Sequence, residues 1–465
     1  MTQRQQERHT YLLGIGGSGL SALAGYLIDR GERVTGSDRR GSDVVTYLRS
    51  RGARIHVGEP GVRLDRDLDL IVYTAAASPD HDVLREASEA GIPTLKYAEF
   101  LGQEIAGRPS VAVAGTHGKT TTAGWIAHLL TEAGQDPSVI IGGAPCGAAG
   151  PGRGGSGPVV VEACEYDHSF LSLRPQAAVL TNVEADHLDY FGTEDGVLLA
   201  FQDFLAQLEG HGPLVLHESA ARRLDLSAVR RRVAVVGKGR GVTDRLTLLR
   251  RAEGSWCARL EVPGHRPVEL RPSLPGDHNL QNAAVSAAIA LRLGVDEAQV
   301  EAGVSSFPGM VRRMEPLGCF DGVQWYSDYA HHPTELRALR QALRTQWAGA
   351  RLWLVFQPHQ AGRTRRFLQD FARELAAFDE VVLPGIFSVR EDRSLVQQTE
   401  AQLVSALSAL GCTPRTPEGL DAVMPELRDE LRPGDVVALA GAGDIDELAR
   451  ALRSVKEEAS VARVG

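Results

Sequence analysis

The stretch that decides the fold is residues 110–122, which read SVAVAGTHGKTTT. A short apolar run is followed by Gly115, Gly118 and Lys119 and then by three threonines, an order that predicts a strand, a tight turn and a helix start. Backbone N–H groups and the positive end of the helix dipole meet at such a turn, where they favour an anion. The stretch therefore predicts a phosphate-binding loop.

This loop is shorter than the usual pattern G-x-x-x-x-G-K-[ST], because Val113 stands where the first glycine belongs. In the usual arrangement the lysine contacts the terminal phosphates of ATP and the hydroxyl that follows it holds Mg²⁺. An ordinary turn with a solvent-facing lysine is the alternative. The residues predicted to bind ATP here are Gly115, Thr116, His117, Gly118, Lys119, Thr120 and Thr121.

Composition and charge narrow the possible functions. At 465 residues the chain is long enough for about three domains. Fifty Lys and Arg against 59 Asp and Glu give a net charge of -9, which argues against a nucleic-acid partner. No apolar run approaches the ~18 residues of a membrane span, and the five cysteines lack C-x-x-C spacing. We expect a cytoplasmic protein with no membrane partner.

A second glycine-rich turn follows the first predicted strand. Residues 14–19 read GIGGSG and precede a helical pattern, and Asp38 ends the next strand at the ~20-residue distance expected of a ribose-binding carboxylate. Taken alone, this fingerprint predicts a dinucleotide and suggests a nicotinamide-dependent oxidoreductase; a turn that merely packs helix against strand is the structural alternative. The predicted ligand contacts are Gly14, Gly16, Gly17, Ser18, Gly19 and Asp38.

Two more predicted strands deliver polar residues toward the phosphate-binding loop. Residues 159–161 lead to Glu162, and residues 177–181 lead to a segment that contains His187. Carboxylate and neutral imidazole are both metal ligands, and parallel sheets bind their ligands at the carboxyl ends of strands. We expect Thr120, Glu162 and His187 to hold Mg²⁺, although a solvated acid and an ordinary loop histidine are the alternatives. Glu165, Glu184 and Asp186 are weaker candidates.

Between residues 142 and 158 the chain is rich in Gly, Ala and Pro, which predicts a mobile surface loop.

The last third of the chain alternates predicted strands and helices, with polar clusters directly after the strands. Loops that collect Asp, His and Arg at strand ends indicate a binding edge. The candidates at this edge are Asp328, Tyr329, His331, His359 and Arg363. Earlier, His278 and Asn279 stand at a predicted helix start, where they contact a nucleobase or cap the helix.

The motifs follow one another in the order GIGGSGLSALA, VTGSD, GTHGKTTT, VEACEYDHSF, TNVEADHLDYF, GDHNLQNA, VRRMEPLG, DYAHHPTE, FQPH, TRRF and GAGDI. This order resembles that of the Mur ligases of peptidoglycan synthesis over essentially the whole chain. The resemblance implies an α/β fold of three domains: a Rossmann-like domain (1–107) for UDP-N-acetylmuramate, a P-loop ATPase-like central domain (108–313) and a Rossmann-like C-terminal domain (314–465) for the amino acid.

Within the family the chain is most similar to the members that add L-alanine. The implied reaction uses ATP and Mg²⁺ to phosphorylate the lactyl carboxylate of UDP-N-acetylmuramate, after which the amine of L-alanine attacks the acyl phosphate. A ligase that recycles murein peptides is the alternative within the family, and an NAD-dependent oxidoreductase is the remote one. Monomer and homodimer both remain open.

The resemblance also implies residue roles. Catalytic roles fall to Lys119, His187, His331 and Arg363. The additional ATP contacts are His278, Asn279 and Asp328, and the residues that hold the amino acid are Tyr329, His331, His359 and Arg363.

Three departures from the family pattern affect these expectations. Gln360 stands where many relatives carry Arg, which leaves Arg363 as the expected cation for the amino-acid carboxylate. Tyr166 replaces a serine of many relatives. No lysine lies between His187 and Lys238, so the carbamylated lysine of some sister ligases is absent.

Overall fold

Three β-sheets organise the protein, for which a computed structural model describes residues 8–58, 64–208, 210–252, 255–388 and 391–461. The chain divides into two compact units. One comprises Met1–Arg250, Cys257–Ser273 and Gln281–Pro308, and the other comprises Arg251–Trp256, Leu274–Leu280 and Gly309–Gly465. The expected α/β fold is confirmed, and its sheets are parallel or mixed.

The first sheet has the order β3-β2-β1-β4-β5, and all of its strand pairs are parallel. Its elements are β1 (His9–Leu13), α1 (Ser18–Asp29), β2 (Arg33–Asp38), α2 (Asp43–Ser50), β3 (Arg54–Val57), β4 (Leu70–Tyr73), α3 (Asp82–Ala90), β5 (Thr94–Lys96) and α4 (Tyr97–Ile105). The strand order reverses direction beside β1, so the turn after β1 lies at the point where open parallel sheets bind ligands.

The second sheet has the order β14-β13-β12-β11-β10-β9-β6-β8-β7. Its strands are β6 (Ser110–Ala114), β7 (Ser138–Ile140), β8 (Val159–Glu162), β9 (Ala177–Leu180), β10 (Leu214–His217), β11 (Val233–Gly237), β12 (Asp244–Ala252), β13 (Ser255–Glu261) and β14 (Val268–Leu270). The helices that accompany them are α5 (Lys119–Glu132), α6 (Leu188–Phe191), α7 (Glu194–Ala206), α8 (Glu218–Ala221), α9 (Asp277–Arg292) and α10 (Glu297–Ser306), with a 3₁₀ helix at Tyr166–Ser172. Strand β6 is fully buried and pairs in parallel with β8 on one side and β9 on the other.

The third sheet has the order β15-β16-β19-β17-β18, in which only the β15–β16 pair is antiparallel. Its strands are β15 (Glu315–Phe320), β16 (Val323–Asp328), β17 (Leu352–Phe356), β18 (Glu380–Val382) and β19 (Val436–Ala440). Its helices are α11 (Pro333–Gln346), α12 (Ala361–Arg366), α13 (Leu368–Leu375), α14 (Arg393–Ala409), α15 (Val423–Arg428) and α16 (Asp446–Val461), with a 3₁₀ turn at Leu420–Ala422.

The glycine-rich segment 142–158 differs from its prediction. Its second half packs against α1: a Cβ atom on Gly152 would lie 1.9 Å from the carbonyl oxygen of Ala22, and one on Gly25 would lie 2.5 Å from that of Pro151. The prediction of a mobile surface loop is therefore wrong for this half, because the missing side chains let two backbones approach each other closely. Among the described helices, none has the length and apolarity that crossing a lipid bilayer requires.

Candidate functional site

The phosphate-binding loop needs glycine at two positions. Gly115 has φ 136° and Gly118 has φ 80°, values that L side chains rarely adopt. A Cβ atom on Gly115 would lie 2.0 Å from the hydroxyl of Thr181, and one on Gly118 would lie 2.7 Å from the amide oxygen of Asn282. The loop therefore turns tightly between β6 and α5, as the sequence predicted, and its glycines cannot be replaced without displacing neighbours.

The segment after β9 holds this loop in place through hydrogen bonds. The side chain of Asn182 accepts a hydrogen bond from the N–H of His117 (2.9 Å) and donates one to its carbonyl oxygen (3.0 Å). The hydroxyl of Thr181 donates to the same carbonyl at 2.7 Å, and the Thr116 hydroxyl accepts from the N–H of Glu184 at 2.9 Å. Neither Asn182 nor Asn282 was predicted as a site residue, since an amide after a strand or inside a helix carries no local signal.

Lys119 forms a largely buried ion pair with Glu165. Its ammonium lies 2.8 Å and 3.1 Å from the two carboxylate oxygens, and it also donates to the carbonyl oxygens of Gly115 (2.6 Å) and Thr116 (3.0 Å). The Glu165 side chain is only 3% exposed. Burial lowers the pKa of Lys119, but the charge and hydrogen bond of Glu165, together with the charges of Cys164 and Glu162, outweigh burial and leave the pKa raised. Lys119 is therefore charged, and Glu165, a weak candidate in the sequence, holds it.

The three predicted metal ligands surround the same loop. Thr120 lies in the first turn of α5, Glu162 ends β8, and His187 precedes α6 with its imidazole 4.0 Å from Glu165. One carboxylate oxygen of Glu162 accepts from the N–H of Gly142 at 3.0 Å, which fixes its orientation. A hydroxyl, a carboxylate and an imidazole form a donor set that suits a divalent cation that keeps part of its water shell. The residues present thus fit Mg²⁺.

At the first glycine-rich turn, some backbone N–H groups have an acceptor within the described chain and others, called open below, have none. The N–H groups of Gly14 and Ile15 donate to Ser37, and that of Gly17 donates to Gly14. Helix α1 begins at Ser18 without a side-chain cap, and within the described chain the N–H groups of Ser18 and Gly19 have no acceptor. Of the predicted contacts, Ser18 and Gly19 are the ones whose N–H groups are free to meet an anion.

The carboxylate of Asp38 faces the same turn. One of its oxygens accepts from the N–H of Gly16 at 2.9 Å, and the other accepts from the N–H of Arg40 at 3.2 Å. Asp38 thus holds the glycine-rich turn in shape, and its ribose contact stays a prediction.

A residue that the sequence reasoning missed lies beside this turn. The ring of Tyr97 packs on Gly19 at the start of α4. Burial raises the pKa of Tyr97, and the charges of Glu162 and Cys164 add to the effect. Tyr97 therefore stands within electrostatic range of the strand end that carries Glu162.

In the second unit, Asp328 ends β16 in a half-buried position. Its carboxylate oxygens accept from the N–H groups of Met314 and Ala330, both at 2.7 Å. Burial raises the pKa of Asp328 to about 6, partly opposed by the positive charge of Arg313. The guanidinium groups of Arg312 and Arg313 lie 4.7 Å and 4.8 Å from the ring centre of Tyr329, so cationic groups surround this strand end.

The remaining predicted residues of this edge come together in part. The rings of His331 and His359 are 6.5 Å apart, and His359 stacks on Phe387. Burial lowers the pKa of His359, and the positive charge of Arg363 lowers it further. The structure therefore places Arg363 near His359, on the first turns of α12.

A glutamate occupies the start of the same helix. The carboxylate of Glu391 accepts from the N–H groups of Ala361 (2.6 Å) and Gly362 (2.8 Å). Gln360, which replaces the arginine of many relatives, precedes them with φ 65°, and its N–H donates to Phe387. The positive end of the α12 dipole thus faces the carboxylate of Glu391, which belongs to the same chain.

His278 and Asn279 open α9. Burial lowers the pKa of His278 to about 4, so this imidazole is neutral at pH 7. The Asn279 amide donates to the carbonyl oxygen of Pro275 at 2.8 Å. This bond ties the start of α9 to the turn before it, and the ATP contact of Asn279 stays a prediction.

Fold and site together define an α/β protein with a strand–glycine turn–helix loop that carries a largely buried lysine, and a second glycine-rich turn on a separate parallel sheet. Three family models match along the chain: "Mur ligase family, catalytic domain" at residues 9–108, "Mur ligase middle domain" at residues 113–290, and "Mur ligase, glutamate ligase domain" at residues 312–443. The chain belongs to the Mur ligase family.

Curated relatives are similar over nearly their whole length. The UDP-N-acetylmuramate–L-alanine ligase of Kineococcus radiotolerans is 40% identical over 441 residues, which cover 94% of this chain and 93% of the relative. The enzyme of the same name from Paenarthrobacter aurescens is 39% identical, with 94% of each chain covered.

Solved structures agree with this assignment. The UDP-N-acetylmuramate–alanine ligase MurC of Thermotoga maritima matches with a TM-score of 0.81 and 26% identity, covering 97% of this chain and 99% of that one. A murein peptide ligase of Psychrobacter arcticus matches with a TM-score of 0.72 and 23% identity, covering 96% and 98%, and shows the fold alone.

Proposed function

We propose that this chain is an ATP-dependent UDP-N-acetylmuramate–L-alanine ligase, which acts in the cytoplasmic synthesis of peptidoglycan precursors. The observation that carries the proposal is the full-length similarity to ligases of that name, at 40% identity over 94% of the chain. The buried Lys119–Glu165 pair in the phosphate-binding loop supports it, because a nicotinamide-dependent oxidoreductase has no use for such a loop.

The proposal assigns one substrate to each domain. Residues 1–107 bind UDP-N-acetylmuramate, residues 108–313 bind ATP, and residues 314–465 bind L-alanine. The open N–H groups of Ser18 and Gly19 support the first assignment, since a diphosphate suits the start of α1. The glycines of the loop between β6 and α5 support the second.

Activation of the carboxylate requires charge neutralisation at the transferred phosphate. Lys119 supplies a fixed positive charge, and Glu165 and two carbonyl oxygens hold its ammonium in place before the reaction. Thr120, Glu162 and His187 would hold Mg²⁺, which supplies charge stabilisation on the phosphate oxygens. The bond from the N–H of Gly142 keeps Glu162 oriented for this role.

Within the second unit, the proposal gives the amino acid to Tyr329, His331, His359 and Arg363. Burial lowers the pKa of His359, whereas the guanidinium of Arg363 stays charged at any physiological pH, so Arg363 is the permanent cation of this set. His331 is oriented by its ring contact with the carbonyl oxygen of Tyr329 at 2.9 Å. His278, Asn279 and Asp328 are proposed ATP contacts.

ADP release by the purified chain tests the function. With ATP, Mg²⁺ and UDP-N-acetylmuramate, we expect sustained ADP release only when L-alanine is added. Release that depends on an L-alanyl tripeptide in place of L-alanine would identify a recycling ligase. Tight binding of NAD without binding of UDP-N-acetylmuramate would identify an oxidoreductase and overturn the proposal.

Arg363→Ala is expected to raise the KM for L-alanine about ten- to hundred-fold. A guanidinium meets a carboxylate with two parallel hydrogen bonds, which contribute about 1.5–3 kcal/mol to a charged ligand. The KM values for ATP and UDP-N-acetylmuramate should stay within a few-fold of the parent. Steady-state kinetics with one substrate varied at a time measure the effect.

Two variants of neighbouring residues serve as controls for this prediction. Arg366→Ala removes an exposed arginine from the same helix, and Gln360→Ala removes the side chain that replaces the usual arginine. Both should change the KM for L-alanine much less than Arg363→Ala does. Equal, modest changes for all three substrates in Arg363→Ala would instead indicate that Arg363 stabilises the start of α12 near Glu391.

A further inference from the structure

The first turn of α4 places a tyrosine hydroxyl beside the anion-binding turn of the first sheet. A Cβ atom on Gly19 would lie 2.9 Å from Cζ of Tyr97 and 3.2 Å from its hydroxyl oxygen. The ring therefore packs directly on the backbone of Gly19, and a larger residue at position 19 would displace it. As a result, the hydroxyl lies next to the first turn of α1, where the N–H groups of Ser18 and Gly19 are open.

Three other tyrosine hydroxyls around this sheet have partners within the chain. Tyr11 donates to Ser37 at 2.7 Å, Tyr26 donates to Glu104, and Tyr47 accepts from Arg51 at 2.8 Å. Within the described part of the chain, the Tyr97 hydroxyl has no hydrogen-bond partner, and the residue is half-buried. A phenol whose ring is packed and whose hydroxyl lacks a partner is arranged to donate to a ligand.

Contacts on both sides of Tyr97 fix its position. The preceding residue, Lys96, forms an ion pair with Asp167 at 3.0 Å, and its backbone N–H donates to the carboxylate of Glu99 at 2.7 Å at the start of α4. One turn farther along, the backbone of α4 at Gly102 approaches the carbonyl oxygen of Ser172 so closely that a Cβ atom would lie 2.2 Å from it. The hydroxyl is thus held in one place before any ligand arrives.

The same place lies next to the proposed reaction centre. A Cβ atom on Gly142 would lie 3.7 Å from the hydroxyl of Ser18 and 3.4 Å from a carboxylate oxygen of Glu162. The start of α1, against which Tyr97 packs, therefore adjoins the strand end that carries Glu162. A ligand with an anion at the start of α1 extends from there toward Glu162.

We propose that the Tyr97 hydroxyl donates a hydrogen bond to the diphosphate of the UDP-sugar substrate, together with the N–H groups of Ser18 and Gly19. The inference rests on the proposed function and adds to it a substrate-binding residue. The diphosphate is the favoured acceptor because the hydroxyl lies against the open N–H groups of α1, which favour an anion at that point. The carboxylate at the far end of the substrate is then free to reach Glu162.

Tyr97→Phe tests this inference, because it removes the hydroxyl and keeps the ring that packs on Gly19. Titration calorimetry would measure the binding of UDP and of UDP-N-acetylmuramate, with a nonhydrolysable ATP analogue filling the ATP site. We expect both ligands to bind about tenfold more weakly than to the parent, the loss typical of one hydrogen bond to a charged group. The affinity for the ATP analogue should not change.

Tyr11→Phe is the matched control, since it removes a hydroxyl that is bonded to Ser37 within the same sheet. It should leave the affinity for both uridine nucleotides unchanged. Unchanged affinity in Tyr97→Phe would overturn the inference, and so would a loss confined to UDP-N-acetylmuramate, which would move the contact from the diphosphate to the sugar or its carboxylate. A parent protein that binds neither ligand would overturn the proposed function itself.

Discussion

Lys119→Ala should reduce ADP release by about 10³-fold while UDP-N-acetylmuramate still binds with nearly parental affinity. Negative charge develops on the phosphoryl oxygens during transfer, and the loss of one preorganised donor to such charge costs about 10²–10³ in kcat. The ammonium of Lys119 is held in advance by Glu165 and by the carbonyl oxygens of Gly115 and Thr116, so water cannot replace it equally well. Single-turnover kinetics and calorimetry measure the two quantities.

Lys238→Ala is the control, because it removes an exposed lysine of the same unit. It should release ADP at the parental rate. Near-parental turnover in Lys119→Ala would rule out the assignment of the phosphate-binding loop.

Glu162→Ala and His187→Ala should instead raise the Mg²⁺ concentration that half-maximal activity requires. Mg²⁺ titrations that overlay the parent's would show that these two residues are not ligands.

Glu165→Ala should lower the free energy of unfolding by about 3–5 kcal/mol, the range for a buried ion pair that loses one partner. The Glu165 side chain is 3% exposed and that of Lys119 is 15% exposed, so water screens the remaining charge poorly. Denaturant unfolding of the single variants and of the double variant Lys119→Ala/Glu165→Ala measures the coupling free energy between the two side chains. The glutamate substitution should cost clearly less when Lys119 is already alanine.

Arg271→Ala provides the comparison for this second prediction. It breaks an ion pair with Glu269 in which both side chains are well exposed, and such pairs contribute little to stability. A Glu165→Ala variant that is no less stable than Arg271→Ala would contradict the inference that Glu165 neutralises a buried lysine.

Much of the fold could be predicted from the sequence. Strands β17 and β19 coincide with the apolar runs 352–356 and 436–440 of the last third, where alternating strands and helices were predicted. These runs are short, apolar and bounded by polar or turn residues, so local sequence suffices to define them. Strands β10 to β13 were not predicted, and neither was β15, whose antiparallel pairing with β16 gives the third sheet a mixed edge.

The candidate site was predicted less evenly. Lys119, Thr120 and the glycines of the loop between β6 and α5 lie within one continuous segment, and the structure gives that segment the predicted form. The segment 142–158 was predicted as a mobile surface loop, yet its second half packs on α1. The amino-acid composition of a segment indicates how bulky its side chains are, but it does not indicate which part of the backbone packs against the segment.

The sequence by itself determined that a strand, a glycine turn and a helix form a phosphate-binding loop, because that geometry depends only on neighbours along the chain. Only the tertiary structure decided which residues surround the loop. Strand β6 lies between β8 and β9, and this order brings Glu165, 46 residues away, to Lys119 and brings Asn182, 65 residues away, to His117. Packing of α4 against the 3₁₀ helix decided the place of Tyr97. Such contacts depend on which strands pair, and strand order follows from the packing of the whole sheet rather than from any local pattern.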